Sequence, residues 1–497
     1  METANTNTTL PEKTPENARR AKWASFVGTA IEWYDFYLYG TAAALVFNQV
    51  FFTDFDGPTG TLLSLMTFSA GFIARPIGGI VMGHFGDRIG RKSMLILSLM
   101  TMGIATTLIG FLPTFATIGV WAPILLVTLR VVQGFGVGGE WGGAVLVAVE
   151  NAPKTHKGLA GSWPQVGVPV GLFLANAVFM VTNLIIGPEA FVAWGWRIGF
   201  LGSALLIAVG LIIRLKMEET PDFAEVKETE VIAKFPVADL LRTQWRRLIV
   251  ASGVKISQNA IFYIITVFTL TYVGETLGMS DDVALGGVMV ACVVSVFTLM
   301  LFGWVSDQYG RRRTYLFGAI ASALFAFPMF ALLDTRNIVL IALAIIIGFV
   351  FHDAMYGPQA AFMSEMFDTK IRYTGTSLSY QLASTVAGAV SPVLAVYLLQ
   401  VANGRPWLVA LYMIGASIIS IVATLAAPET HVGNRRIAKL SEKAKISAGE
   451  SANDASNASG ITNTVDAGAA SVTPVSPPSS ASPAPVVSPS PKVTELK

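Results

Sequence analysis

The chain has 497 residues, 53% of them hydrophobic and only 13% charged, about half the charged fraction of a soluble domain. Its net charge of +2 gives no support for nucleic-acid binding, which requires a concentrated basic surface. One cysteine, Cys292, excludes an intrachain disulfide framework and a cysteine zinc cluster, and four histidines leave little for a metal site.

Residues 1–22 are polar and read as an N-terminal segment on the cytoplasmic side, with no signal peptide expected. From Ala24 onward, apolar stretches of the ~20-residue length that crosses a bilayer alternate with short polar breaks. Spans are expected near 24–48, 61–83, 93–112, 119–148, 158–186, 196–215, 248–273, 284–305, 314–333, 338–363, 374–401 and 406–427. Only helices and closed barrels satisfy their backbone in lipid. Stretches this long are helices, since barrel strands need just ~10 alternating residues. The longest internal break divides them six and six. The expected fold is therefore an all-α membrane protein of twelve transmembrane helices in two six-helix bundles. The bundles take residues 23–215 and 248–430, joined by a cytoplasmic central loop, 216–247. The Ser/Ala/Pro-rich tail, 431–497, buries too little apolar area to fold and reads as disordered.

Charge orients the bundle. Of 34 Lys and Arg, 28 fall in segments on one side, three (Arg197, Arg336, Arg405) at the other, and three (Arg75, Arg130, Lys255) within spans. Basic residues in short loops mark the cytoplasmic face, which places both termini there, on a multi-pass protein of the plasma membrane.

The two halves repeat. Gly83-His84-Phe85-Gly86-Asp87-Arg88-Ile89-Gly90-Arg91-Lys92 stands between spans 2 and 3. Gly303-Trp304-Val305-Ser306-Asp307-Gln308-Tyr309-Gly310-Arg311-Arg312 stands between spans 8 and 9. The glycines are expected to admit a tight turn, and each Asp to accept hydrogen bonds at a neighbouring helix N-terminus. Gly83, Asp87, Arg88, Gly90, Arg91, Asp307, Gly310 and Arg311 are thus candidates for conformational gating, with Asp307 the weaker partner because Gln308 stands where the first copy has Arg88. A small-xxx-small spacing at Gly134, Gly138 and Gly142, and at Gly139 and Gly143, predicts a close helix contact in span 4.

The ten-residue turn resembles the loop 2–3 motif of the major facilitator superfamily. Further stretches are similar to the metabolite:proton symporter family within it, in its shikimate-permease branch: Glu32-Trp33-Tyr34-Asp35-Phe36, Arg75-Pro76-Ile77-Gly78-Gly79, Gln133-Gly134-Phe135, Gly138-Gly139-Glu140-Trp141-Gly142-Gly143-Ala144, Trp194-Gly195-Trp196-Arg197, Glu218-Glu219-Thr220-Pro221, Tyr356-Gly357-Pro358 and Arg372-Tyr373-Thr374-Gly375. The resemblance covers about residues 23 to 430. In that family the span 1 acid and span 4 arginine lie together and act in coupling. Carried over, this makes Asp35 the proton carrier and Arg130 its partner; the bland alternative is a permanent ion pair locking spans 1 and 4. Glu32 shares the face of Asp35 and Tyr39 and reads either as a second coupling group or as a silent carboxylate. Arg75, before Pro76, reads as structural, near the turn and bound to carbonyls freed by the proline.

Polar groups within the spans supply the candidate substrate site. Lys255, Gln258, Asn259, Phe262 and Tyr263 form an inward stripe on span 7. His352, Asp353 and Tyr356 on span 10, Tyr380 and Gln381 on span 11, and Gln165 on span 5 lie near the same depth. Midplane groups at the interface of two repeats are the expected binding site of such transporters. Substrate-binding candidates are therefore Lys255, Gln258, Asn259, Tyr263, Gln165, Tyr356, Tyr380 and Gln381. His352 reads either as a proton relay or as a hydrogen-bond donor to Asp353. No nucleophile, phosphate loop, metal site or cofactor is expected, and the protein reads as no enzyme. The expected partners are a small molecule, protons and lipid, with a monomer as the default unit and no nucleic acid. The resulting expectation is a proton-coupled symporter importing a small organic acid, a shikimate-like hydroxy-carboxylate, by alternating access. The alternative is uptake of a zwitterionic osmolyte such as proline or betaine. A sensor lacks its regulatory domain, and multidrug efflux would not favour Lys255.

Overall fold

The computed structural model describes residues 15–54, 57–216 and 236–431, with 433, 434 and 436. Among them every regular element is helical. Twelve long helices follow in order: α1 (Pro15–Leu45), α2 (Gly57–Ile89), α3 (Arg91–Phe111), α4 (Trp121–Glu150), α5 (Lys157–Ile186) and α6 (Arg197–Leu215). The second six are α7 (Trp245–Gly274), α8 (Asp281–Tyr309), α9 (Arg311–Asp334), α10 (Ile338–Glu365), α11 (Thr369–Val401) and α12 (Trp407–Ala426). Ten of the described helices, α3 to α12, are long and apolar enough to cross a membrane. α1 and α2, of 31 and 33 residues, complete the twelve expected spans. α1 is the less apolar because Glu32, Asp35 and the polar-tipped rings of Trp33, Tyr34, Tyr37 and Tyr39 fill its middle.

The helices stand where the hydropathy placed them, and two boundaries move. α1 begins at Pro15, ahead of the expected start at 23, and proline is tolerated in a first turn. The expected central loop contains a short helix, Pro236–Thr243; residues 217–235, with the Glu218–Pro221 motif, lie outside the described residues. The expected disorder of the tail likewise falls almost wholly outside them. Pro76, Pro164 and Pro169 sit inside α2 and α5 without breaking either helix.

Within the first half α1 packs on α5, α2 on α4, and α3 on α4 and α6; within the second, α7 and α9 pack on α12, and α8 and α9 on α10. Across the halves α2 meets α11 and α8 meets α5. These two contacts are equivalent under a six-helix repeat. Glycine permits the closest approach. A Cβ at Gly134 or Gly138 would collide with the α2 backbone at Gly71 or Arg75, and one at Gly78 of α2 would collide with the Phe135 carbonyl. Gly142 and Gly143 instead admit Ser377 and the Tyr373 hydroxyl of α11. The span 4 spacing is therefore a packing device on two faces.

The repeated turns carry the same backbone. Gly90 alone separates α2 from α3 at φ +126°, and Gly310 alone separates α8 from α9 at φ +108°. Gly83 is not at a bend: it is helical, and its missing side chain lets Thr374 approach. Asp87 accepts hydrogen bonds from the backbone N–H groups of Tyr373 (3.2 Å) and Thr374 (2.9 Å) and from the Thr374 hydroxyl (2.8 Å), at the first turn of the α-helical part of α11. Asp307 accepts from the N–H groups of Gly158 (2.8 Å) and Leu159 (2.9 Å), at the first turn of α5. Each carboxylate thus caps a helix of the opposite half, where the unsatisfied N–H groups and helix dipole favour negative charge.

Basic residues hold these clasps. Arg91 and Arg372 both donate to Glu150 Oε1 (3.1 and 3.2 Å), and Arg311 pairs with Asp307 (2.7 Å). Arg88 is exposed beside His84, outside the clasp. Its replacement by Gln308 therefore gives no reason for a weaker Asp307. Past α12, Glu429 accepts from the N–H groups of Arg311 and Arg312 (3.1 and 3.4 Å) and covers the second turn.

Two predictions follow from this packing. Gly138→Ala should destabilise the protein by about 1–3 kcal/mol, the usual cost of overpacking, while Gly286→Ala, with open space at its Cβ, should not. Thermal unfolding of the two variants in detergent checks this, and equal melting shifts would refute it. Burial pushes the Asp87 carboxyl up to about 6, against the opposing pull of Arg91 and of its Thr374 and Tyr373 donors. An unclasped Asp87 returns to an ordinary value near ~4, so the clasped form binds the proton more readily. Closure at this end should strengthen as pH falls from about 7 to about 5, and Asp87→Asn should remove that dependence. Spin-label distances across the basic end measure it; opening on acidification in the wild type alone would contradict the assignment.

Candidate functional site

The first half buries a chain of hydrogen bonds. Asp35 of α1 accepts from the Ser203 hydroxyl of α6 at 2.6 Å through Oδ1, and its Oδ2 is buried without a hydrogen-bond partner. Gln133 of α4 donates to Thr106 Oγ1 (2.6 Å), and Arg130 donates to Gln133 Oε1 (3.1 Å). The guanidinium of Arg130 lies 4.2 Å from the Tyr39 ring centroid and 4.9 Å from that of Phe36. Asp35 and Arg130, expected side by side, have different partners: Asp35 is held by Ser203, and Arg130 by Gln133 and two aromatic rings.

Glu140, one of the acids in span 4, is taken by a partner that the charge distribution had assigned to the cytoplasmic end. Arg214 of α6 is buried, pairs with Glu140, and also donates to the Leu95 carbonyl. Gly28 of α1 leaves room for that guanidinium. The available signal was the acid itself: a glutamate deep in an apolar span requires a cation or a proton, and Arg214 is in the helix packed across α3. Glu32 is buried one turn before Asp35, and its Oε2 has no hydrogen-bond partner.

The second half holds a matching chain. Lys255 donates to Gln258 Oε1 (2.9 Å) and Asn259 Oδ1 (3.3 Å), and its Nζ lies 3.7 Å from the Tyr380 ring centroid. Since an ammonium has only donors, the Gln258 oxygen must face it, and the Gln258 amide N–H then donates to His352 Nε2 at 2.7 Å. His352 consequently carries its proton on Nδ1, which donates to Asp353 Oδ1 at 2.9 Å. Asp353 also accepts from Thr298 of α8. π-helical turns at Ile264–Phe268 of α7 and Ser384–Gly388 of α11 follow closely on Tyr263 and Gln381; such turns are frequent at functional sites.

The remaining candidates divide. Tyr356 and Tyr380 meet Lys255 from α10 and α11, with Tyr380 stacked on Trp141 of α4 at 3.8 Å. Tyr263 packs on Phe72 of α2 and Phe262. Gln165 has both ends engaged, accepting from Trp141 Nε1 (2.8 Å) and donating to the Tyr356 carbonyl (3.2 Å). Gln381 donates to the Gly138 carbonyl at 3.1 Å. These two amides bridge the halves. Asn259 reaches the Ser384 carbonyl at 3.4 Å. Sequence reasoning missed the aromatic seam of Trp33, Tyr37 and Phe262 that joins α1 to α7.

Arg75 departs from its expected place beside the turn. It lies at the centre, its guanidinium 4.3 and 4.4 Å from the Phe36 and Phe72 ring centroids, and it reaches the Tyr263 hydroxyl. It is buried, and its Nε has no hydrogen-bond partner. The site therefore gathers Glu32 and Arg75 from the first half and Lys255, Tyr263, Tyr356 and Tyr380 from the second. It has charge and hydrogen-bonding capacity between two repeats, a construction suited to binding a polar solute.

The model of the Major Facilitator Superfamily matches residues 25–392 and 295–475. The Shikimate transporter of Escherichia coli is 41% identical over 411 residues, 82% of this chain and 94% of its own length. The Proline/betaine transporter of Salmonella typhimurium is 32% identical, over 83% of this chain and 84% of its own. Among solved structures, the proton:xylose symporter XylE bound to 6-bromo-6-deoxy-D-glucose superposes with a TM-score of 0.69 at 18% identity, covering 84% of this chain and 97% of that one. With twelve helices, two equivalent clasps and a polar centre, the chain belongs to the Major Facilitator Superfamily, and it is a membrane transporter of a small-molecule substrate rather than an enzyme.

Proposed function

We propose that the protein is a proton-coupled symporter that imports a small hydroxylated organic acid across the bacterial plasma membrane. The observation that carries the reading is the buried Lys255, held by Gln258 and Asn259 against the Tyr380 face, with Arg75 opposite. Two cations in a low-dielectric centre attract a carboxylate strongly, and the surrounding phenols and amides suit hydroxyl groups. Similarity to a shikimate transporter supports the same class. The osmolyte reading draws on the similarity to proline/betaine transporters. A quaternary ammonium is best held on an aromatic face, and Lys255 already occupies that of Tyr380.

The basic end faces the cytoplasm, by the distribution of Lys and Arg, and the clasps at Asp87 and Asp307 hold it shut. Substrate and proton enter from the opposite side. The clasps then release, the halves rock, and both leave to the cytoplasm. Asp35 carries the proton, on α1 against the Ser203 hydroxyl of α6, and Arg130 is its expected partner in coupling. Gly83, Asp87, Gly90, Arg91, Asp307, Gly310 and Arg311 govern the rocking step.

Lys255→Gln should raise the half-saturation concentration for an anionic substrate by roughly a hundredfold, since losing one partner of a buried charge pair costs ~3 kcal/mol. Labelled shikimate uptake into vesicles measures it, and an unchanged value would remove Lys255 from the anion site. Asp35→Asn should abolish accumulation driven by a pH gradient yet preserve exchange across an equilibrated membrane. Normal uphill uptake by that variant would exclude Asp35 as the carrier.

A further inference from the structure

Arg75 is a buried charge of the site that no carboxylate among the described residues meets. Phe36 and Phe72 cover its guanidinium, with ring centroids at 4.3 and 4.4 Å, so its polar edge is what remains to bind. That edge is the fork that grips a carboxylate in two parallel hydrogen bonds. Among the described residues no carboxylate lies within ion-pair distance of it, and Nε is unpartnered. An arginine does not shed its charge, and a buried charge without a partner is strongly destabilising. Lys255 differs: two amide oxygens and an aromatic face already receive it.

Glu32 is the acid left over. Several charged or titratable groups face it: Arg75 from α2, Glu140 from α4, Arg214 from α6, Tyr356 from α10, Tyr380 from α11, and Asp35 on its own helix. Glu140 and Arg214 satisfy each other, which leaves Arg75 as the cation open to Glu32. The two are close enough to interact yet form no ion pair, and Oε2 of Glu32 has no partner. The Tyr37 hydroxyl and Trp33 indole N–H, on the same helix, are also buried without partners.

We propose that Arg75 is the anchor for the substrate carboxylate and that Glu32 is the neighbouring acid whose charge repels that carboxylate, so that a proton on Glu32 is the condition for substrate binding. The inference rests on the organic-acid reading above and adds to it the residue that makes binding itself depend on protons. In the empty protein ionised Glu32 balances Arg75. A second carboxylate then meets repulsion as well as attraction. A proton from the outer side settles on Glu32 and removes that negative charge, so the substrate carboxylate meets the Arg75 fork without repulsion. When the basic end opens, substrate leaves, the proton departs to the inner water, and Glu32 again balances Arg75. Glu32 thereby governs affinity, while Asp35 governs the conformational step.

The test is equilibrium binding of labelled shikimate to the purified full chain in nanodiscs across pH. Above the titration range of Glu32, wild-type affinity should weaken by about tenfold per pH unit, one proton being linked to each substrate. Glu32→Gln should bind with no such slope, whereas Asp35→Asn should keep it. Arg75→Lys, which retains the charge but not the fork, should weaken binding by about tenfold or more. The uncharged methyl ester of shikimate should lose nothing in that variant. A wild-type slope in Glu32→Gln, or wild-type affinity in Arg75→Lys, would overturn the proposal while leaving the organic-acid reading in place. Absence of shikimate binding by the wild type at every pH would overturn that reading and this one together. If Glu32→Gln does not fold, the Arg75→Lys comparison decides alone.

Discussion

Two aspartate carboxylates, each seated on the first turn of a helix from the opposite half, are the contacts on which the rest of the arrangement depends. Asp87 on α11 and Asp307 on α5 convert a loop in one repeat into a cap for the other. The interaction is strong because free helix-terminal N–H groups have no water to turn to once the halves close. It is also reversible, since the same groups can be hydrated when the halves part. With both clasps made, α2 lies on α11 and α8 on α5, and the polar centre above them is buried.

That centre shows how lipid constrains charge. Away from the two turns, four buried cations among the described residues, Arg75, Arg130, Arg214 and Lys255, each meet the cost of burial differently. Arg214 has Glu140; Arg130 has Gln133 and two aromatic rings; Lys255 has two amides and a ring. Arg75 has rings and a phenol but no paired carboxylate. Charges met by dipoles and π faces stay available to a ligand, whereas charges met by carboxylates are consumed. Of the four, Arg214 alone is met by a carboxylate, and the other three by dipoles and π faces.

The close contact of α2 and α4 places two of these cations. Glycines at 71, 78, 134 and 138 bring the two backbones together. Arg75 is on α2 between two of them, and Arg130 begins the turn of α4 that precedes the others. The same glycines that read as a packing motif therefore set the depth at which two arginines are held, with Phe36 of α1 beside both.

The linear sequence by itself determined the twelve helices, the repeat, the paired turns at Gly90 and Gly310, and the class of transporter. Hydropathy, positive-φ glycines and charge bias are local properties that survive without knowledge of neighbours. It also marked Asp35, Arg130, Lys255 and the aspartates of the turns, because ionisable groups in apolar surroundings stand out in any context. Tertiary structure alone decided partnership. Asp35 is held by Ser203 and Arg130 by Gln133, Glu140 is consumed by Arg214, Gln165 and Gln381 bridge the halves, and Arg75 moves from the turn to the centre. The physical reason is that helical periodicity assigns a side chain to a face, while its partner is set by which helix packs there and at what depth. Those quantities come from the contacts of α2 with α4 and α11, and of α5 with α8, between segments far apart in the chain.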